Sequence, residues 1–178
     1  MKNNIYFVGL PAAGKSTIGK QLAKTLKFKW IDTDQEIVRR TGVEINWIFD
    51  QEGEEGFRQR ERTLIEELTQ EKDIVLSTGG ETILDPKNRQ LLHDTGIVIY
   101  LQVSITKQVE RTEKDKVRPL LRSGDKKQKL MELSERLNSL YASIADITIA
   151  TDSSAVPLLV GNLQKKIVEW KKSKDLGA

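Results

Sequence analysis

The chain has 178 residues, of which 38% are apolar and 31% charged, a composition typical of one globular domain. Its 29 Lys and Arg residues against 26 Asp and Glu leave a net charge of +3, too small to indicate a nucleic-acid-binding protein. The absence of Cys excludes disulfides, thiolate metal ligands and a cysteine nucleophile.

The sequence pattern shows no signal for export or membrane insertion. Met1 is followed closely by a predicted strand rather than by a leader, and no apolar run approaches the ~18 residues that span a membrane. We therefore expect a cytoplasmic protein without membrane contact. The single histidine, His93, cannot form a histidine metal site alone.

Short apolar runs rich in Ile and Val alternate with amphipathic segments along the chain. The runs predict five strands, at residues 5–9, 29–32, 73–77, 97–101 and 147–150. Their length and composition are typical of strands buried on both faces. Between them, apolar residues recur at helical spacing, Gly42 predicts a helix end, and Asp85-Pro86 predicts a helix start.

This alternation predicts a fold class. Parallel strands joined by right-handed crossovers give a three-layer α/β/α domain with a five-stranded parallel sheet. We expect residues 1–178 to form this single domain. Ligands of such sheets bind beyond the carboxyl ends of the strands.

A phosphate-binding motif follows the first predicted strand. Residues 9–17 match G-x-x-x-x-G-K-[ST] and open the first predicted helix, the context that makes the motif specific. Inward-pointing N–H groups and a helix N-terminus would hold phosphate, with Lys15 reaching the β- and γ-phosphates and Ser16 ligating Mg²⁺. The residues expected to contact ATP here are Gly9, Ala12, Ala13, Gly14, Lys15, Ser16 and Thr17.

Two carboxylates follow the second predicted strand. Alternation along a strand would place Asp32 and Asp34 on the same side of its end. Asp32 could then hold the water shell of Mg²⁺, and Asp34 could accept a hydrogen bond from a substrate hydroxyl. An alternative interpretation is that Asp34 only caps the next helix, predicted at 35–41.

Residues 112–127 interrupt the alternating pattern. This segment holds Lys, Arg, Asp, Glu and Gly around Arg118-Pro119-Leu120-Leu121, and it is too polar for a core element. Its composition alone leaves two interpretations open, a mobile lid over a ligand or a solvated loop.

Several separated motifs together resemble one family. They are the phosphate loop, the Asp32-x-Asp34 pair, the segment 49–58 ending in Gly56-Phe57-Arg58, Ser77-Thr78-Gly79-Gly80, Arg118-Pro119-Leu120-Leu121, and Glu135-Arg136 with Tyr141 and Ala145-Asp146. Over residues 5–170 the chain resembles shikimate kinase, a small member of the nucleoside monophosphate kinase-like P-loop proteins. The resemblance implies the P-loop kinase type of fold and favours the lid interpretation.

The resemblance also implies an activity, the transfer of the ATP γ-phosphoryl group to the shikimate 3-hydroxyl in the chorismate and aromatic amino acid pathway. Shikimate would be held by Asp34, Arg58, Gly79, Gly80 and Arg136. Two arginines from different helices suit its carboxylate.

The further roles implied are catalysis by Lys15, Asp34 and Arg118, and ATP contacts from Arg111 and Arg118. Mg²⁺ would be the cofactor, bound by Ser16 and, through water, by Asp32. We expect a monomer whose partners are ATP and shikimate, not nucleic acid.

The sequence departs from the family pattern at two places. Pro11 and Ala12 replace residues that are often Met and Gly, for which we expect little effect. Glu81 stands where the family usually has a third glycine. A positive φ there would cost ~1–2 kcal/mol, and a carboxylate facing the shikimate carboxylate would add ~1–4 kcal/mol, whereas a side chain pointing away would matter little.

Two alternative functions remain open from the sequence. One is a gluconate-type sugar-acid kinase, which shares the phosphate loop and the general fold. The other is a nucleotide-binding protein whose kinase activity is impaired by Glu81.

Overall fold

The computed structural model describes residues 3–112 and 125–176. Within them lie five strands, β1 (Asn4–Val8), β2 (Lys29–Asp32), β3 (Ile74–Ser77), β4 (Gly96–Gln102) and β5 (Ile147–Ala150). The helices are α1 (Lys15–Leu26), α2 (Thr33–Thr41), α3 (Ile45–Leu68), α4 (Pro86–Thr95), α5 (Ile105–Thr112), α6 (Lys126–Ile144) and α7 (Val156–Asp175), with a 3₁₀ turn at Thr82–Leu84. Most of the predicted lid, including Arg118, lies outside the described residues.

The strands form one parallel sheet in the order β2-β3-β1-β4-β5. Residues of β1 alternate between two cores: Ile5 and Phe7 pack with α1 and α7, while Tyr6 and Val8 pack with helices of the opposite face. This alternation produces three layers and confirms the predicted fold class.

Local signals set several helix boundaries. Gly42 ends α2 with a φ of 71°, and Asp85 caps α4, whose first residue is Pro86, as the sequence predicts. Helix α3 is interrupted at Gly53, where φ is 71° and ψ is −178°. No helix within the described ranges is long and apolar enough to cross a membrane.

The carboxyl ends of β1, β2 and β3 meet at one edge of the sheet. Asp32 pairs in register with Ser77, and the N–H of Thr78 donates to the carbonyl of Phe7 at 3.2 Å. Strand β3 lies between β1 and β2. The chain segments that follow all three strands are therefore neighbours.

Candidate active site

The phosphate loop between β1 and α1 requires unusual backbone conformations. Gly9 has a φ of 146° and Gly14 a φ of 96°. A Cβ at Gly9 would lie 2.6 Å from the carbonyl oxygen of Leu101, so only glycine fits there. The Lys15 ammonium donates to the carbonyls of Gly9 at 2.7 Å and Leu10 at 2.9 Å, which holds it against the loop.

Ala12 adopts a left-handed backbone conformation with a φ of 61°. A residue with a Cβ pays about 1 kcal/mol or more in this region, so this departure from the family pattern has a measurable cost. The neighbouring Ala13 is fully buried, and its N–H donates to the carbonyl of Leu10 at 3.2 Å. Thr17 lies in the first turn of α1.

Ser16 and Asp32 meet beside the phosphate loop. The Ser16 hydroxyl donates to Oδ2 of Asp32 at 2.6 Å. Both groups offer oxygen ligands of the kind that Mg²⁺ prefers, and Mg²⁺ in kinases commonly takes one or two protein ligands together with substrate phosphates. The residues present therefore fit a magnesium ion.

The position of Asp34 corrects the alternation argument. Strand β2 ends at Asp32 and α2 begins at Thr33, so Asp34 lies in the first turn of a helix and not on an extended strand. The N-cap is also Asp32 rather than Asp34, because Oδ1 of Asp32 accepts the N–H groups of Asp34 and Gln35.

Asp34 lies beside a buried carboxylate that sequence reasoning missed. A Cβ built on Gly79 would lie 3.1 Å from each of three oxygens, those of Asp34, Glu61 and Thr82. Glu61 is 1% exposed and accepts from Thr82 Oγ1 at 2.6 Å and from Arg58 Nη1 at 3.1 Å. Burial raises the pKa of Glu61, and the carboxylate of Asp34 adds to that rise, while Thr82 and Arg58 oppose it.

Two arginines from different helices approach one carboxylate. Arg58 of α3 donates from Nη2 to Oε2 of Glu81 at 2.7 Å, and Arg136 of α6 places Nη1 3.9 Å from Oε1 of Glu81. The φ of Glu81 is −98°, so the backbone strain considered for this position does not arise. The carboxylate instead faces the predicted substrate-binding arginines.

Arg111 contacts the phosphate loop directly. It donates from Nη1 to the carbonyl of Ala12 at 3.0 Å and from Nη2 to the carbonyl of Thr151 at 2.5 Å. One helical turn earlier, the buried Gln108 donates to the carbonyl of Pro11 at 2.8 Å. Gln108 was not predicted, although its i, i+3 spacing from Arg111 places both on one face of α5.

Gly80 links the two halves of the site. Its carbonyl accepts the hydroxyl of Tyr141, and a Cβ on Gly80 would lie 3.3 Å from Cδ of Pro11 in the phosphate loop. The predicted residues on the described part of the chain thus gather at one edge of the sheet, with the phosphate loop on one side and Asp34, Arg58 and Arg136 on the other.

Comparisons with known proteins group the chain with one family. A family model described as shikimate kinase matches residues 11–170. The shikimate kinase of Francisella philomiragia is 53% identical over 167 residues, covering 93% of this chain and 95% of the relative, and that of Francisella tularensis subsp. holarctica is 52% identical with the same coverage.

Solved structures give the same grouping. A shikimate kinase from Acinetobacter baumannii in complex with shikimate superposes with a TM-score of 0.91 at 43% identity, covering 95% of this chain and 94% of that one. A gluconokinase from Sinorhizobium meliloti has a TM-score of 0.69 at 14% identity, covering 99% and 97% of the two chains, a likeness of fold alone.

Proposed function

The chain belongs to the shikimate kinase family and catalyses the ATP-dependent phosphorylation of shikimate, and we propose that the residues gathered at the sheet edge carry out this reaction at the 3-hydroxyl. The observation that supports the assignment is the meeting of the phosphate loop with Asp34, Arg58 and Arg136 across Gly79 and Gly80. Phosphate and a hydroxylated carboxylic acid would then lie side by side.

The nucleotide half binds the phosphates of ATP. Backbone N–H groups of the loop, the N-terminus of α1 and the Lys15 ammonium supply positive potential for the β- and γ-phosphates. Ser16 and, through water, Asp32 would hold Mg²⁺, which would neutralise charge on the phosphoryl oxygens. Arg111 supports the loop from α5 through the carbonyl of Ala12.

The substrate half holds shikimate. Arg58 and Arg136 bind its carboxylate, and Gly79 and Gly80 let the ring approach the backbone closely. Asp34 accepts a hydrogen bond from the 3-hydroxyl and orients its oxygen toward the γ-phosphorus. As the new O–P bond forms and the bond to the ADP oxygen breaks, the hydroxyl proton passes to Asp34.

Further assignments follow the family resemblance. It implies that Arg118 stabilises the transferring phosphoryl group and that the predicted lid, 112–127, excludes water, and these predictions fall mostly on residues outside the described part of the chain. The chain works as a single-domain cytoplasmic monomer with Mg²⁺ as cofactor and ATP and shikimate as its ligands.

A coupled assay of ADP release tests the proposal. We expect turnover with shikimate and none with gluconate. Asp34→Asn should lower kcat at least ~100-fold, as expected for loss of a positioned general base. The matched control Asp94→Asn, on the exposed face of α4, should leave kcat unchanged. Equal ADP release with gluconate, or release that does not depend on shikimate, would contradict the assignment.

A further inference from the structure

The carboxylate of Glu81 occupies the space between Arg58 and Arg136. Its Oε2 lies 2.7 Å from Nη2 of Arg58, and its Oε1 lies 3.9 Å from Nη1 of Arg136. The Arg58 and Glu81 side chains are 16% and 19% exposed, so the contact is largely shielded from water. One carboxylate thus already contacts both arginines that would hold the carboxylate of the substrate, closely at Arg58 and more loosely at Arg136, whose side chain is 59% exposed.

Neighbouring charges leave this pair of arginines electrically balanced. Arg58 also contacts Glu61, whose side chain is 2% exposed, and more distantly Glu54, at 3.4 Å. The charges of Arg58 and Arg136 are therefore matched by those of Glu61 and Glu81 alone. A second carboxylate entering beside Glu81 would gain little attraction and would meet like charge.

The side chain of Glu81 is not committed to the local backbone. Glu81 precedes the 3₁₀ turn at Thr82–Leu84, but its carboxylate makes no capping hydrogen bond to that turn. Its φ of −98° lies outside the left-handed region in which a Cβ causes strain. Within the described residues, the polar contacts of the carboxylate are those with the two arginines.

From these contacts we propose that Glu81 is an affinity- and specificity-determining residue, an internal counter-ion that the shikimate carboxylate must displace from Arg58 and Arg136. The inference rests on the proposed function of these two arginines. It predicts that the chain discriminates only weakly between shikimate and an analogue without the carboxylate, because part of the arginine attraction is spent on displacing Glu81.

Glu81→Gln is the diagnostic substitution because it removes the charge and keeps the size of the side chain. We expect the KM and the calorimetric Kd for shikimate to fall about tenfold, the change produced by about 1.4 kcal/mol, with KM for ATP unchanged. For the analogue in which a hydroxymethyl group replaces the carboxylate, Glu81→Gln should change binding less than about twofold.

Two further variants complete the design. Glu81→Gly should also bind shikimate more tightly, since it removes the carboxylate altogether. Glu54→Gln is the matched control, because Glu54 also contacts Arg58 but its side chain is 66% exposed. We expect it to alter shikimate binding less than about twofold, as is usual for an exposed ion pair.

The outcomes of these experiments separate the counter-ion inference from the proposed kinase function. Shikimate turnover with an unchanged or higher Kd in Glu81→Gln would overturn the counter-ion inference and leave the kinase assignment intact. Equal tightening for shikimate and the neutral analogue would also overturn it, because the effect would not depend on the substrate carboxylate. Absence of shikimate turnover and binding in the parent chain and all variants would overturn the proposed function and this inference with it.

Discussion

Ser16 and Asp32 share a hydrogen bond of 2.6 Å in which the hydroxyl donates to Oδ2 of the carboxylate. The other oxygen of Asp32 accepts the N–H groups of Asp34 at 3.1 Å and Gln35 at 3.2 Å. One carboxylate therefore caps α2 and at the same time faces the proposed magnesium position. A substitution that preserves the cap can separate these two roles.

Asp32→Asn should weaken Mg²⁺ binding without unfolding the protein. Asn caps helices about as well as Asp, so we expect the free energy of unfolding to change by less than about 1 kcal/mol. The Mg²⁺ concentration for half-maximal activity should rise about tenfold, since a charge that attracts the ion is lost. Asp32→Ala should also lose ~1 kcal/mol of stability. Unchanged Mg²⁺ dependence in Asp32→Asn would contradict the metal role.

Gly79 keeps space open for the polar cluster around Asp34. A methyl group there would lie 3.1 Å from oxygens of Asp34, Glu61 and Thr82, closer than most real Cβ contacts. Gly79→Ala should displace Asp34 and lower kcat ~10–100-fold, with KM for ATP unchanged, because a small misplacement of a reacting group is costly.

Gly80→Ala provides the comparison for Gly79→Ala. Its methyl group would meet the Pro11 ring at 3.3 Å rather than the carboxylates. We expect a smaller loss of kcat from Gly80→Ala than from Gly79→Ala in steady-state kinetics. The reverse order would show that the contact with the phosphate loop matters more than the position of Asp34.

The layered fold and the phosphate loop could be predicted because their signals are local. Five apolar runs and a motif with fixed spacing sufficed for the sheet and the loop. The alternation argument was wrong for Asp34 because α2 begins one residue after β2 ends, a boundary that periodicity does not locate. The same early start made Asp32 the capping residue.

Other parts of the site depend on tertiary packing. The ion pair of Glu61 with Arg58 is a local i, i+3 contact within α3, but the burial of Glu61 and its hydrogen bond from Thr82 arise only when α3 packs beside the 3₁₀ turn. An acidic residue on a charged helix gives no sequence signal for that burial. The orientation of Glu81 likewise depends on its φ and on arginines from two helices.

Ala12 stores strain that a glycine would release. With a φ of 61°, Ala12 pays the cost of a Cβ in the left-handed region. Ala12→Gly should raise the free energy of unfolding by about 0.5–1 kcal/mol, the strain relieved less the added entropy of the unfolded chain. Denaturant unfolding measures this change. Ala13→Gly, at a buried position without positive φ, should destabilise by ~1 kcal/mol or more. A lower free energy of unfolding in both Ala12→Gly and Ala13→Gly would contradict the strain argument.

Arg111 joins the phosphate loop to the segment after β5. Its two terminal nitrogens donate to the carbonyls of Ala12 and Thr151, a geometry that a lysine cannot reproduce. Arg111→Lys should raise KM for ATP about tenfold and leave KM for shikimate within about twofold. Arg39→Lys, on an arginine whose side chain is 71% exposed, is the control and should change neither constant. Equal increases in both KM values would contradict a role confined to the nucleotide half.

Glu36 should make the stability of α2 depend on pH. Hydrogen bonds from Arg39 and Arg40 overcome partial burial and lower the pKa of Glu36 from 4.5 to about 2. A lowered pKa means that the folded state favours the charged form, so the stabilisation is present above pH 4.5 and is lost as the pH falls toward 2.

Glu36→Gln should therefore be less stable than the parent chain by about 1 kcal/mol at pH 7, after allowance for solvent screening of the exposed arginines. The difference should shrink as the pH is lowered from 4.5 toward 2 in denaturant titrations. Glu110→Gln, which breaks an ion pair with Lys107 at a side chain 62% exposed, should cost less than about 0.5 kcal/mol at any pH. If the difference in the free energy of unfolding between Glu36→Gln and the parent chain stays constant down to pH 3, the effect comes from packing. Stabilisation by charge must diminish as the carboxylate is protonated.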